Sequence, residues 1–329
     1  MLTRLRRNMW VRLSLLALVC ACAGAALYAN WTQARGAVSG LPLWVLPAAA
    51  LAGMAGLAAQ MLAWRSLLAG LGSALPRAAA ARVMFVGQLG KYLPGSVWAF
   101  VAQVELARDW RVPRSRGAAA TLSAIAVTVA VSLAVAAVAL PLSSVEAARR
   151  WWWALAAAPL LLACLHPRVL GRGVRLAARP FSRFREVAEA GPLRVEGGSV
   201  AASVGWTLVA WVPLGLHVWL LTWAVGGDAL RSVGPAVGAY ALAWVLGLLV
   251  VFAPAGLGVR EAVLVVALAP VVDAGAALVV AVLSRLVMTV ADVGWAGSAV
   301  LLTRAPGSGG GGGPEHADGA ASDPATGPG

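Results

Sequence analysis

Charge is scarce in this chain. Only 12% of its 329 residues are charged, against 60% hydrophobic, which excludes an ordinary soluble domain with its polar exterior. Cysteine and histidine are scarcer, three of each. Cys20, Cys22 and Cys164 lie inside apolar runs, and His166, His217 and His316 are scattered. That pattern excludes a disulfide framework and any metal-ligand spacing, and leaves the cysteines as small packing residues. The chain also lacks a phosphate-cradling glycine loop and a nucleophile elbow in a strand context. No soluble catalytic site is present, so neither an enzyme nor a cofactor is expected. The rarest charge is lysine: Lys91 stands alone against 25 arginines.

What the chain has in abundance is apolar runs of about 20 residues, enough to cross a bilayer as helices. Mean hydropathy is +0.81. The reading is an all-α, polytopic helical membrane protein with about seven to eight hydrophobic spans and one or two broken segments. The net charge of +13 would suit nucleic acid. The basic residues sit instead at the ends of apolar runs, so membrane topology accounts for them and no nucleic-acid partner is expected.

Arg4, Arg6, Arg7 and Arg12 precede the first run, 13–27. A signal peptide is one reading, but the spans downstream favour an uncleaved helix with a cytoplasmic N-terminus. Further spans are read at 42–63, 118–142, 151–165, 199–225, 235–252 and 274–302. On this topology 18 arginines lie inside and four outside (Arg35, Arg149, Arg150, Arg231), with Arg260, Arg285 and Arg304 unassigned. Trp151, Trp152 and Trp153 read as an aromatic belt rather than a sugar platform. Arg168, Arg172, Arg175 and Arg179 share one helical face, either of an amphipathic helix on the inner leaflet or of a stop-transfer cluster. The transmembrane domain is read as 1–304, and the glycine- and proline-rich stretch 305–329 as a disordered tail.

The run 83–104 is long enough to span, but Gly90, Pro94 and Gly95 interrupt it around Lys91. Broken backbone at membrane depth is tolerated only under protein or beside a watery cavity. Arg82 precedes the run, and Arg108, Arg111, Arg114 and Arg116 follow it. Both flanks therefore read as cytoplasmic, and a re-entrant hairpin satisfies the charge bias where a single crossing would violate it. The alternative is a kinked helix with a snorkelling lysine. A second disruption, 254–261, carries Gly256, Gly258, Arg260 and Glu261; whether 257–270 crosses or re-enters stays open. Each break follows a pair of spans, as in an internal duplication.

Intramembrane charges are costly and mark pathways or binding sites. They are read here as Lys91, Glu105, Arg260, Glu261, Arg285 and Asp292. Glu261–Arg285 and Arg285–Asp292 are alternative pairings, functional or purely structural. Lys91 and Arg260 stand apart because each lies in a glycine or proline break. A half-helix N-terminus there favours an anion, and paired interrupted segments point to a transporter's substrate site. A cation at that depth, open to the inner leaflet, fits a lipid phosphate.

The stretches 87–98 (GQLGKYLPGSVW) and 254–261 (PAGLGVRE), followed by an arginine-bearing helix, resemble the paired signatures of the lysylphosphatidylglycerol synthase transmembrane, or flippase-like, family. The similarity runs over about 82–302. It implies a multi-pass protein of a bacterial inner membrane that binds an anionic or glycosylated lipid and moves it between leaflets. The alternative is a partner that presents a lipid to a separate glycosyl- or aminoacyltransferase. The family's best-known branch adds a soluble aminoacyltransferase domain, for which this chain leaves no room, so synthase activity is not expected. Some members carry a glutamate in the helix after the first motif; 121–133 has no acid, so any role of that group is either lost here or moved to Glu105. The expected lipid contacts are Lys91, Tyr92, Pro94, Gly95, Gly256, Gly258, Arg260 and Glu261. Lys91 and Arg260 would hold the phosphate and Glu261–Arg285 would gate, with Glu105 and Asp292 as further ion-pair residues.

Overall fold

The computed structural model describes residues 31–92, 98–141, 196–250 and 256–302, with a few positions between 149 and 172. A short helix α1 (Trp31–Ser39) leads into α2 (Val45–Gly70). Next come α3 (Arg77–Ala81), α4 (Trp98–Arg108) and α5 (Arg114–Ala139). The second half holds α6 (Gly197–Ala224), α7 (Val233–Leu249), α8 (Val259–Leu268) and α9 (Ala274–Leu302). The described residues are helical, without strands. Backbone groups in lipid must be paired within their own segment, and only helices do this without closing a barrel.

Four helices, α2, α5, α6 and α9, are long and apolar enough to cross a membrane, and α7 is a shorter apolar helix of 17 residues. They fall where hydropathy places them: α9 matches the expected 274–302, the others are shifted by a few residues, and α2 runs on to Gly70. The expected seven to eight spans are not reached among the described residues. The run 13–27, most of 151–165, most of the arginine face 168–179 and the tail 305–329 lie outside them.

Small residues let these helices pack closely. Along α2 the buried stripe is Ala49, Ala52, Gly53, Gly56, Ala59 and Ala63, a spacing of three or four that keeps one face slim. A Cβ on Gly56 would stand 2.5 Å from Leu214 Cγ of α6, so α2 and α6 meet at backbone distance. Pro213 lies inside α6 and removes one helical donor without ending the helix.

The Lys91 run is broken as its composition requires. After α3 the helix widens into a π-turn at Arg82–Val86, then tightens into a 3-10 turn at Leu89–Tyr92. The chain then doubles back into α4. A Cβ on Gly87 would lie 2.6 Å from Gln103 Cγ, and one on Gly90 would lie 2.7 Å from the Ala99 nitrogen. Those two glycines let the limbs of a hairpin touch. Gln103 Nε2 also donates to Met84 Sδ across it, at 3.3 Å. Phe85 stacks on Trp295 of α9 at 4.8 Å, fixing the hairpin to the last helix. By helical rise the first limb, 77–92, is about 24 Å long and the second, α4, about 16 Å, both shorter than the apolar thickness of a bilayer.

The second break has the same logic. α7 ends at Leu249, Gly256 and Gly258 both take positive φ (+69° and +87°), and α8 starts immediately after. α8 has 10 residues, about 15 Å, too short to cross alone. Gly256 sits so close to Gly247 that a Cβ on it would be 2.8 Å from the Gly247 Cα.

Candidate functional site

Both breaks open toward one face of α9, and the side chains there form a continuous polar chain. Lys91, in the 3-10 turn, places Nζ 2.5 Å from Asp292 Oδ2. The neighbouring Tyr92 donates its hydroxyl to the same oxygen at 2.7 Å and lies 3.3 Å from Thr289 Oγ1. Thr289 donates back to the Arg285 carbonyl at 2.9 Å, a local bond within α9. Arg285 pairs through its guanidinium with Glu261 Oε1 at 2.5 Å. The other Glu261 oxygen accepts the Gly258 backbone N–H at 2.6 Å. An acid at this third helical position closes the first turn of α8 and satisfies a donor that the turn leaves over.

Helical geometry explains why α9 can do this. Arg285 and Asp292 are seven residues apart, two turns, so they share a face with Thr289 between them. Asp292 is 4% exposed, whereas Lys91, Arg285 and Glu261 keep 19–27% of their side-chain surface open. A buried carboxylate needs a charged partner, and Lys91 supplies it. The lysine therefore points into the protein rather than snorkelling. Of the two pairings left open by the sequence, Glu261–Arg285 forms, and Asp292 takes Lys91 instead.

Arg260 has a different environment. Its side chain lies over Gly247 and Gly256, whose missing Cβ atoms would stand 2.6 Å and 3.0 Å from its Nε. That buried Nε has no hydrogen-bond partner, and among the described residues no carboxylate lies within ion-pair distance of the guanidinium. The five charges, three positive and two negative, sum to +1. This is a half-buried site that is one anion short of neutrality.

Glu105 does not join the cluster. It is 45% exposed near the end of α4, where Arg108 reaches it at 2.9 Å and Arg114 at 3.0 Å. These two arginines hold its carboxyl below the usual range, Arg114 foremost. Its role is to join α4 to the start of α5 at the surface. Pro94 and Gly95 fall in 93–97, outside the described residues. The helix after the first motif, α5, carries Thr121 and Thr128 where an acid was noted as missing. Thr121 accepts the Trp64 indole N–H at 3.1 Å, and Thr128 bonds Gln60 at 3.3 Å. Sequence reasoning missed Gly247, which makes room for Arg260. Its only signal was a glycine inside an otherwise apolar helix, and several others look the same.

A search of curated proteins finds no match to the chain. Its sequence from residue 9 to 295 matches the lysylphosphatidylglycerol synthase TM region. With most of the chain inside that match, and with both interrupted segments and the charged part of the helix that joins them within it, the protein belongs to that family.

Proposed function

We propose that this protein binds the phosphate of an anionic or glycosylated lipid and moves that lipid between leaflets. The observation that carries the reading is the convergence of two interrupted segments, far apart in sequence, on the charges of α9, with a net charge of +1 and an unpartnered Arg260 Nε. A phosphodiester brings one negative charge and acceptor oxygens, which is what the cluster lacks. Family membership supports the coarser statement, a multi-pass membrane protein concerned with lipid modification or translocation.

In this reading Arg260 is the standing cation, and Lys91 joins it when its bond to Asp292 opens. Tyr92 follows Lys91, since both share one carboxylate oxygen. Glu261–Arg285 is the gate, because it ties the start of α8 to α9. The 77–108 hairpin re-enters from the cytoplasmic face, supported by limbs shorter than the bilayer's apolar core and by arginines on both flanks. The membrane is the inner membrane of a bacterium, with the N-terminus in the cytoplasm. The role is non-enzymatic, without a cofactor.

A second reading keeps the binding site and removes the transport: the protein presents its lipid to a separate glycosyl- or aminoacyltransferase. Reconstitution separates them. Vesicles carrying fluorescent phosphatidylglycerol in both leaflets are treated with an impermeant quencher. A translocator lets the quenched fraction pass the outer-leaflet half, whereas a presenting protein binds the lipid and leaves that plateau at the protein-free level.

A further inference from the structure

No charged residue occurs in α6, yet Ser203, Thr207 and Trp211 follow one another at steps of four. They therefore lie along one side of that helix. Ser203 and Thr207 are fully buried, and Trp211 is 2% exposed. Thr207 donates its hydroxyl to the Ser203 carbonyl at 2.8 Å, which leaves its oxygen free to accept. Ser203 Oγ and Trp211 Nε1 have no hydrogen-bond partner. Buried polar atoms are nearly always paired, so two orphans on one side of one apolar helix require an explanation.

That side borders the seam with α7. The Trp211 ring stands edge-on to Tyr240, with centroids 6.0 Å apart, and Gly215 packs against the Val237 side chain. With these contacts α6 and α7 run antiparallel, and equal helical rise brings Ser203 about level with Gly247. Gly247 lies seven residues from Tyr240, two turns, and so shares the face that Tyr240 turns to α6. Arg260 rests on Gly247, within electrostatic reach of Tyr240. The orphaned Arg260 Nε, Ser203 Oγ and Trp211 Nε1 therefore belong to one seam.

We propose that this seam receives the part of the headgroup beyond the phosphate, and that this part is uncharged and rich in hydroxyl groups. The proposal rests on the anion-site reading and narrows it to phosphodiester lipids with a polyol or sugar headgroup. The Trp211 N–H only donates, the Ser203 hydroxyl donates and accepts, and Thr207 accepts. Hydroxyl groups, each both donor and acceptor, satisfy all three. An ammonium headgroup only donates and needs a carboxylate. α6 and α7 contain none, and Asp292 and Glu261 already hold Lys91 and Arg285.

The test compares the affinity of the purified full-length protein in detergent for three lipids with the same acyl chains. Phosphatidylglycerol carries the hydroxyls. Phosphatidylmethanol has the same diester and the same charge without them, and phosphatidylethanolamine has an ammonium. The expected order is phosphatidylglycerol first, by about tenfold over phosphatidylmethanol, the effect of one or two hydrogen bonds, with phosphatidylethanolamine last. Trp211→Phe removes the N–H and Ser203→Ala removes the hydroxyl, and each should narrow the gap between the first two lipids several-fold. Equal affinities for those two in the unaltered protein overturn the headgroup seam while leaving the phosphate site standing. So does phosphatidylethanolamine binding as tightly as phosphatidylglycerol, or a gap undiminished in both variants. No binding of phosphatidylglycerol or phosphatidylmethanol overturns the anion reading and this proposal with it. Should Trp211→Phe not fold, Ser203→Ala decides alone, and an undiminished gap there overturns the seam.

Discussion

An ammonium held 2.5 Å from a buried carboxylate, with a tyrosine hydroxyl on the same oxygen, serves an incoming anion only when that pair opens. On the proposed reading Asp292 competes with the lipid for Lys91, which gives a prediction of two signs. Asp292→Asn should raise phosphatidylglycerol affinity several-fold, because Lys91 no longer has an internal counter-ion. It should also destabilise the fold by about 1.5–3 kcal/mol, the usual cost of losing a charge-assisted bond. Binding titrations and thermal melts in detergent read the two effects; weaker binding with unchanged melting would refute the competition. The two glutamates should differ as well. Glu261→Ala removes a half-buried partner of Arg285 and the cap on α8, and should cost about 2 kcal/mol. Glu105→Ala removes a pair that is 45–50% exposed and should stay within about 0.5 kcal/mol. Because Arg114 and Arg108 hold Glu105 low, its small contribution is present above the ordinary carboxylate range and is lost as pH falls through the depressed value. Equal losses for the two glutamates would show that burial does not rank them.

At the scale of elements, Gly247 and Gly258 do most to place Arg260. Gly258 holds φ +87° before α8, where an L side chain costs about 1–2 kcal/mol. Gly247→Ala would put a methyl 2.6 Å from Arg260 Cγ and Nε, forcing the arginine off its seat. Gly247→Ala should therefore weaken phosphatidylglycerol binding more than it lowers the melting temperature, and Gly258→Ala the reverse; indistinguishable profiles would count against this division. The apolar helices were legible because a membrane span needs only length and hydropathy. The break at Lys91 was legible from glycine, proline and arginine flanks. The π-turn at 82–86 and the seat of Arg260 on Gly247 were not, since both depend on which helix lies opposite. So does the choice of Lys91 for Asp292: spacing put Arg285 and Asp292 on one face, but only the folded hairpin brings a lysine to that face.

For the molecule as a whole, α9 is the keystone: it meets the first hairpin through Phe85, Lys91 and Tyr92, the second break through Glu261, and α6 through Ser284. The topology around it has a direct consequence. Single cysteines replacing Arg77 and Arg114, at the two feet of the hairpin, should both react with an impermeant reagent from the cytoplasmic side only; reaction from opposite faces would replace the hairpin by a crossing. The central claim, that two breaks make one anion site, is tested most directly by lipid flux in vesicles for Lys91→Ala, Arg260→Ala and the double variant. The account predicts that each single variant folds and loses translocation of fluorescent phosphatidylglycerol, and that the double is little worse, since residues acting as a unit are not additive. Undiminished flux through well-folded Lys91→Ala protein would contradict it.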